Sequence, residues 1–405
     1  MADKVAEQVA GPIAFDPHDP SFVRQGVPFD TLARIRREQP VYRTPRGAFY
    51  LARYDDVEAA LTDVDGFHAD LGPITGIPAG VPAIPPEQHY LSEILEPRHK
   101  SVRRLFAATM ATPRLRALEP TIEAECHRLV DAMLAAPVAD LHGDYAAAIP
   151  ALSMAHLMGF ERAAADEFMS WSSDGTLMSR PCTPGVAPGG PASHVYFRAR
   201  LAAQRAGTAP ANHLFRQFID AEVDGQKLSD GEIVTQLHFM IQAGVHTTRS
   251  LLTHLMNSLV QDDALFATLQ ADGEAISAFV EESLRRDSPV QRTTRRTSRD
   301  FEVGGVAIPA GSWVEMGIGS ANRDESKYEQ PDRFALDRPN PRQHLAFGAG
   351  SHVCPGAALA RLEAMLSVKV LLARVKRLRR VEGAVYPPIP GSLGHQPIPA
   401  HLEPR

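Results

Sequence analysis

Cysteine is scarce in this chain of 405 residues, which contains only Cys126, Cys182 and Cys354. Three scattered thiols cannot build a disulfide framework, so a reducing, cytoplasmic environment is expected. No run of about twenty apolar residues is present, so neither a membrane span nor a secretory signal is predicted. Positive charge is not in excess either, because the net charge is −6, and this argues against nucleic acid as a partner.

Several common site motifs are also missing. The phosphate-binding pattern G-x-G-x-x-G fails at Val353, and no G-K-[ST] follows a glycine-rich loop. Cys354 has no second Cys or His at zinc-finger spacing, and no local cysteine-protease signature surrounds it. Two interpretations of Cys354 therefore stay open at this point. It is either a buried core cysteine, the commonest fate of a free thiol, or a thiolate that binds a metal or attacks a substrate.

The overall composition is that of a globular protein, with 44% hydrophobic and 22% charged residues. Helical periodicity dominates from residue 98 onward, and a hairpin is predicted over 41–53. Residues 1–27 are predicted to be an extended arm, and residues 28–405 the folded part. Two Pro- and Gly-rich stretches, 67–96 and 179–191, are too long for ordinary turns and are interpreted as functional loops, the second as a mobile lid.

Cys354 lies in a glycine-rich turn directly before a predicted amphipathic helix that begins at Ala357. Leu359, Leu362 and Leu366 recur at helical spacing along it. Free backbone N–H groups and the dipole at a helix N-terminus stabilise a thiolate. The position therefore predicts a lowered thiol pKa and a role as metal ligand or nucleophile.

The stretch around Cys354 resembles the heme-binding loop of the cytochrome P-450 superfamily, F-G-x-G-x-H-x-C-x-G. The fixed positions are occupied by Phe347, Gly348, Gly350, His352, Cys354 and Gly356. The resemblance implies that Cys354 is the axial thiolate of a heme iron, that Phe347 packs under the ring, and that His352 reaches a propionate. The glycines would let backbone amides approach the sulfur and tune it.

Further motifs of the same family occur in the expected order. His99 and Arg103 resemble the H-x-x-x-R that holds heme propionates, and Arg295 matches a further propionate-binding arginine. Glu282 and Arg285 resemble the structural E-x-x-R pair, with Arg333 expected as its third member. Without the resemblance, His99 and Arg103 would indicate a solvated basic patch, and Glu282 and Arg285 a surface ion pair.

A long helix is predicted from Leu228 to about Val260, with a Ser229–Glu232 capping box at its start. Its middle resembles the oxygen-activating segment [AG]-G-x-[DE]-T-[TS], and Ala243, Gly244, Thr247 and Thr248 match. The resemblance implies that Thr247 is the catalytic hydroxyl, with Thr248 beside it. His246 departs from the pattern, because it replaces the usual acid. It either relays protons or only packs against a neighbouring helix.

The resemblance implies a mainly α fold with a small β region in a single domain, and a heme b (iron protoporphyrin IX) monooxygenase. The enzyme would use O2 and electrons from a separate ferredoxin or flavodoxin, and would act as a monomer without membrane contact. A peroxygenase, a nitric oxide reductase or a non-catalytic heme sensor is the alternative. The substrate is expected to be a small hydrophobic organic molecule. Its expected pocket comprises the 67–96 loop, Phe239, Met240, Ala243, the stretch from Val290 to Thr294, and Leu393. Gln242, Gln291 and Thr294 are its expected polar members, and Arg292 is a candidate partner for a carboxylate.

Overall fold

The computed structural model describes residues 12–69, 84–173, 179–183, 185–187, 189–388 and 396–405. Leu393 and residues 70–83 of the 67–96 loop therefore lie outside the described residues. Helices account for most of the described chain. They are α1 (Phe22–Gln25), α2 (Phe29–Glu38), α3 (Tyr54–Thr62), α4 (Arg98–Thr109), α5 (Thr112–Ala135), α6 (Ala148–Leu157), α7 (Ala164–Ser173), α8 (Ala192–Ala206), α9 (His213–Asp220), α10 (Asp230–Gln261), α11 (Asp263–Ala271), α12 (Ala275–Arg286), α13 (Ile318–Ala321) and α14 (Ala357–Arg374).

The strands are short and form small sheets at the side of the helices. The strands are β1 (Val41–Arg43), β2 (Phe49–Leu51), β3 (Phe67–His68), β4 (Ala139–Asp140), β5 (Glu222–Val223), β6 (Gln226–Lys227), β7 (Thr293–Thr297), β8 (Phe301–Val303), β9 (Val306–Ile308), β10 (Trp313–Met316), β11 (Val375–Arg380) and β12 (Pro399–Pro404). One sheet has the order β1-β2-β10-β7-β3, a second has the order β11-β12-β4, and β5-β6 and β8-β9 are isolated pairs. The predicted 41–53 hairpin is confirmed as the antiparallel β1–β2 pair.

The central element is α10, a helix of 32 residues. Its predicted capping box is confirmed, because the Ser229 hydroxyl accepts from the Glu232 amide at 3.1 Å and the Glu232 carboxylate accepts from the Ser229 amide at 2.8 Å. Helix α6 packs closely across the middle of α10. A Cβ atom at Gly244 would lie 2.7 Å from the Met154 sulfur, so a larger residue would force the Met154 side chain to shift. The helix-weakening glycine therefore accommodates close packing at this point.

Three apolar clusters lie among the described residues, and the two largest form the body of the protein. The larger cluster lies among helices α4 to α14 and includes Phe168, Phe197 and Leu252. The smaller cluster joins the five-stranded sheet to α3 and α13. Both clusters border the same cavity, which Leu61 and Ile318 reach from the sheet side and Leu251 and Leu359 from the helical side. The mainly α fold with a small β region, predicted as one domain, is confirmed.

The described part of the predicted N-terminal arm, residues 12–27, is packed rather than extended throughout. Helix α1 lies within it, and the Phe15 ring is buried against Tyr42 and Tyr50 with centroid distances of 6.1 and 5.2 Å. His18 bonds to Glu315 on β10 at 2.8 Å. The buried Phe15 ring and the bond between His18 and Glu315 hold the segment to the sheet, and composition alone gave no sign of either contact.

The E-x-x-R pair is buried as its resemblance implies, but its third member is a different arginine. Arg285 binds Glu282 through two contacts of 2.8 Å, and both side chains are almost fully buried. Arg338 supplies the second cation, with its Nε 2.9 and 3.0 Å from the two Glu282 oxygens. The expected Arg333 points outward to Asp337, and only its carbonyl oxygen faces Arg285 and Arg338. The expectation for Arg333 was therefore wrong.

Candidate active site

A cavity of about 300 Å3 lies between the middle of α10 and the loop that carries Cys354. Its wall is mostly apolar, and polar or charged side chains occur only in a few places. The lining residues are Leu61, Leu91, Ser92, His99, Arg103, Phe106, Met110, Met154, Phe239, Met240, Ala243, Gly244, Thr247, Thr248, Leu251, Leu284, Pro289, Val290, Thr293, Arg295, Ile318, Ala346, Phe347, Gly348, Ala349, His352, Cys354, Pro355, Gly356, Leu359 and Ala360.

The loop before α14 holds Cys354 at the cavity wall. The Cys354 amide donates to the Phe347 carbonyl at 2.8 Å, which closes the loop. Gly348 and Gly350 have φ values of +74° and +67°, in the left-handed region that favours glycine. A Cβ atom at Gly350 would also lie 3.0 Å from the Leu61 carbonyl oxygen. These glycines are therefore required by the turn and by its contact with α3.

The Cys354 thiol faces the cavity, but that cavity is deep within the protein. Burial raises the pKa of Cys354, and the Gly356 amide together with the charges of Arg103 and Arg361 opposes this effect without overcoming it. The expected lowering of the pKa by the helix N-terminus was thus wrong for the protein alone. A bound metal ion deprotonates a coordinating thiol outright, so the raised pKa does not prevent Cys354 from acting as a metal ligand.

Four basic side chains, those of His99, Arg103, Arg295 and His352, lie together at one side of the cavity. The rings of His99 and His352 stack at 4.0 Å between centroids, and the His99 Nδ1 bonds to Glu96 at 2.8 Å. Arg295 donates to the Thr293 hydroxyl at 3.1 Å and to the Thr294 carbonyl at 2.8 Å. These contacts aim the remaining donor groups at the cavity.

Within the described chain, Glu96 balances only part of the positive charge of this cluster. Neither Arg103 nor Arg295 makes an ion pair with any residue for which the structure gives a position, and the buried His99 Nε2 has no partner there. Burial lowers the pKa of Arg295 to about 10 and, with His99 and Arg295 nearby, that of His352 to about 3. The buried guanidinium of Arg295, the half-buried one of Arg103 and an orphaned imidazole nitrogen fit a ligand that carries carboxylates, as heme does.

Helix α10 forms the opposite wall with Ala243, Gly244, Thr247 and Thr248. The Thr247 hydroxyl donates to the Ala243 carbonyl at 2.6 Å. Its proton is thereby engaged, so the lone pairs of its oxygen are available as acceptors. Three small side chains and one glycine leave this stretch of helix surface open to a ligand.

His246 does not line the cavity, unlike its neighbour Thr247. Its Nδ1 accepts a hydrogen bond from Arg249 at 3.0 Å. Burial and the Arg249 charge lower the pKa of His246, so the ring is neutral at pH 7. This geometry favours the packing interpretation over the proton relay.

The structure brings together most of the predicted pocket. Phe239, Met240, Ala243 and Val290 line the cavity, whereas Thr294 does not. Side chains alternate along β7, so Thr293 and Arg295 face the cavity and Thr294 faces away. The predicted stretch from Val290 to Thr294 therefore includes Thr293, which lines the cavity, but Thr294, its expected polar member, does not. The sequence also gave no signal for Met154 and Ile318, which come from distant elements.

The expected carboxylate-binding role of Arg292 was wrong. Its Nε lies 3.1 Å from the Glu315 carboxylate, and its NH2 donates to the His18 Nδ1 at 2.8 Å. Both bonds tie Arg292 to the sheet and to the N-terminal segment. The Gln291 amide likewise donates to the Ser288 carbonyl at 2.7 Å. These donors are used within the protein, so neither is offered to a substrate.

A buried ion pair fastens the segment that contributes Leu91 and Ser92 to the cavity. Arg180 binds Glu93 through two contacts of 2.9 Å, and the Arg180 guanidinium lies 4.0 Å above the Tyr90 ring. Tyr90 in turn stacks on Phe239 at 5.0 Å and bonds to the His238 Nε2 at 3.1 Å. The described part of the predicted lid loop is therefore pinned at Arg180.

Two further features concern the described residues alone. No helix among them is both long and apolar enough to cross a membrane. No group of three or more of their His, Cys, Asp or Glu side chains is placed so that it could hold a metal ion.

Known proteins share both the fold and the length of the chain. The family model described as Cytochrome P450 matches residues 196–378. Cytochrome P450 107B1 of Saccharopolyspora erythraea is 34% identical over 374 residues, which cover 85% of this chain and 86% of that protein. A steroid C26-monooxygenase of Mycobacterium tuberculosis is 32% identical over 352 residues, which cover 86% of this chain and 92% of that protein. The solved structure of Cytochrome P450 CYP109Q5 from Chondromyces apiculatus superposes with a TM-score of 0.80 at 32% identity and covers 95% of this chain and 97% of that chain.

The chain belongs to the cytochrome P450 family. Within that family it groups with bacterial heme-dependent monooxygenases, which are oxidoreductases that use O2, an organic substrate and a redox partner. The resemblance inferred from the sequence motifs is confirmed.

Proposed function

We propose that this protein inserts one oxygen atom from O2 into a compact, mainly apolar organic molecule, by hydroxylation or a closely related oxidation. The observation that carries this proposal is the apolar cavity with Cys354 on one wall and Thr247 on the opposite wall. A substrate enclosed there would meet few polar groups, so its binding would depend on apolar contact and shape.

The residues around the cavity fit heme b. The Cys354 sulfur would bind the iron, Phe347 would pack beside it, and Ala243 and Gly244 would leave room on the other side. His99, Arg103, Arg295 and His352 would bind the two propionate groups, because buried cations need anionic partners. When bound, the heme supplies the O2 chemistry that amino-acid side chains cannot perform.

Thr247 is proposed to hold a proton-carrying water molecule at the substrate side of the cavity. Its own proton is donated to the Ala243 carbonyl, so its Oγ1 accepts from such a water. His246 is proposed to support Arg249 instead of carrying protons, because its Nδ1 is engaged by Arg249. Protons would then reach Thr247 through water rather than through the imidazole.

Electrons are proposed to come from a separate ferredoxin or flavodoxin. The support is electrostatic: Lys100 and Arg104 are exposed on α4, the helix whose Arg103 faces the cavity. An acidic carrier would be attracted to this helix, and its association would weaken as salt increases.

A rigid polycyclic molecule of steroid type is proposed as the substrate class. A steroid C26-monooxygenase is among the relatives, and the cavity wall is mainly apolar. Ser92 and Thr293 are polar exceptions that could orient one hydroxyl or keto oxygen of such a molecule. The bonds of Arg292 to Glu315 and His18 weigh against a carboxylic acid held by that residue.

The spectrum of the reduced carbon monoxide adduct tests the heme-thiolate assignment. The wild-type protein should give the Soret band of a thiolate-bound heme, and Cys354→Ala should abolish it. Cys126→Ser and Cys182→Ser are the matched controls and should keep the band. Cys126 is an inert buried thiol, because burial raises its pKa to about 12. A wild-type band at the position of histidine-bound heme would contradict the proposal.

A ligand screen tests the substrate class. Steroids, terpenoids, fatty acids and macrolides are added to the heme-loaded protein, and the shift of the iron spin state is recorded. Steroid-type compounds should produce the shift at the lowest concentrations. A response confined to highly polar compounds would contradict an apolar pocket.

A further inference from the structure

An ion-pair cluster lies directly behind the Cys354 loop, outside the cavity. Its centre is Glu281 of α12, whose side chain is almost fully buried. The Glu281 carboxylate binds Arg361 of α14 through contacts of 2.6 and 3.0 Å and the His344 Nε2 at 3.0 Å. Burial alone would raise the pKa of Glu281, but the bonds from His344 and Arg361 hold it at about 2. Glu281 is therefore an anion at any working pH.

Arg361 connects this cluster to the Cys354 loop. Its guanidinium lies 4.5 Å from the centroid of the Phe347 ring, which lines the cavity. The Phe347 carbonyl accepts the hydrogen bond from the Cys354 amide at 2.8 Å. Arg361 lies near the start of α14, the helix that follows Cys354, and its charge acts on the Cys354 sulfur. Arg361 is thus linked to the Cys354 loop by its contact with Phe347 and to the sulfur by charge.

Arg342, a further basic partner of Glu281, has a weaker influence on the charge near Cys354 than Arg361 has. Arg342 lies 3.5 Å from the carboxylate, but its side chain is 69% exposed and its charge is screened by water. The Arg361 side chain is only 24% exposed. Within this cluster, the charge that acts on Cys354 therefore comes mainly from Arg361, and Glu281 offsets it. Arg103 acts on the sulfur separately, from the cavity side.

We infer that the Glu281–Arg361 ion pair sets the one-electron reduction potential of the heme bound at Cys354. This inference rests on the proposed heme-thiolate function. Reduction adds one electron to the site, so a nearby cation stabilises the reduced state and a nearby anion destabilises it. In this pair the anion cancels most of the effect of the cation. Glu281 and Arg361 are positioning residues, because neither touches the substrate or lines the cavity.

Variants that remove one charge at a time test this inference by equilibrium titration with dithionite and redox mediators, without a protein partner. Arg361→Gln removes the cation and should lower the potential, whereas Glu281→Gln frees the cation and should raise it. Each shift should be on the order of tenfold in the one-electron equilibrium constant, or about 59 mV. The double variant should return close to the wild-type value.

Two further variants separate charge from shape. Arg361→Lys keeps the charge but alters the stacking on Phe347, and its potential should stay close to wild type. Arg299→Gln is the matched control. Arg299 also pairs with an acid, Asp63 at 2.9 Å, and stacks on a phenylalanine, Phe301 at 4.4 Å. Unlike Phe347, however, Phe301 does not line the cavity. It should leave the potential unchanged.

Shifts of Arg361→Gln and Glu281→Gln in the same direction would overturn the inference, because they would indicate a displaced loop. Unchanged potentials in both variants would overturn it as well. If Glu281→Gln does not take up heme, the comparison of Arg361→Gln with Arg361→Lys decides alone. The carbon monoxide spectrum of each variant is recorded first. A missing thiolate band in the wild-type protein would count against the proposed function, and a normal band with unmoved potentials against this inference only.

Discussion

Single residues show where side-chain chemistry departs from the family pattern. The sequence identified Thr247 and His246 as neighbours on α10, but helical geometry sends them in different directions. Thr247 lines the cavity, and His246 accepts from Arg249 outside it. Residue types and their spacing were enough to place Thr247. They could not show the partner of His246, because that partner depends on how α10 packs in three dimensions.

The two residues should therefore respond differently to substitution. Thr247→Ala removes the acceptor at the cavity and should lower product formation by roughly 100-fold, with electrons diverted to hydrogen peroxide. His246→Gln keeps an acceptor for Arg249 and should change product formation by no more than about twofold. Product and peroxide are measured per NADH consumed, with a substrate from the spin-state screen. A loss in His246→Gln as large as in Thr247→Ala would restore the relay interpretation.

At the scale of elements, the sequence predicted helices and hairpins well and side-chain partners less well. The capping box of α10, the 41–53 hairpin and the helix after Cys354 occur where local patterns indicated them. Thr294 faces away from the cavity, whereas its neighbour Thr293 lines it. Glu282 binds Arg338 instead of the predicted Arg333. Local periodicity specifies an element, but it does not specify which of two nearby side chains turns inward.

The arginines near Glu282 provide a direct comparison. Arg338→Met removes a nearly buried partner of a buried carboxylate and should cost roughly 3–5 kcal/mol in the free energy of unfolding. Arg333→Met removes an exposed charge and should change that free energy by less than about 0.5 kcal/mol. Denaturant titration of both variants measures the difference. Equal losses would mean that Arg333 contributes through its side chain after all.

The whole molecule contains several histidines that are buried in the neutral state. Burial lowers the pKa of His142 and His246, and that of His194 to about 4, with Arg198 and Arg180 adding to the effect at His194. The unfolded chain binds a proton near pH 6.5, and the folded chain does so only at lower pH. The stability that these histidines provide is therefore complete above about pH 6.5 and is lost as the pH falls towards 4.

Replacement of His194 should flatten this acid dependence. The wild-type protein should lose about 3 kcal/mol between pH 6.5 and 4 from this group alone, because unfolding is then coupled to proton uptake. His194→Gln should show a smaller fall in Tm over the same range, measured by circular dichroism at several pH values. An identical fall in both proteins would show that His194 already takes up its proton in the folded state.

The Glu93–Arg180 pair is expected to affect the rate of ligand exchange rather than the affinity. If a ligand passes the segment that carries Leu91 and Ser92, it separates a buried ion pair, and the same barrier applies in both directions. Entry and escape are then slowed together, while the affinity stays the same. We expect a molecule oxidised once to remain enclosed long enough for another electron to arrive. A protein built in this way would release doubly oxidised products, and Arg180→Met would shift the yield towards singly oxidised ones.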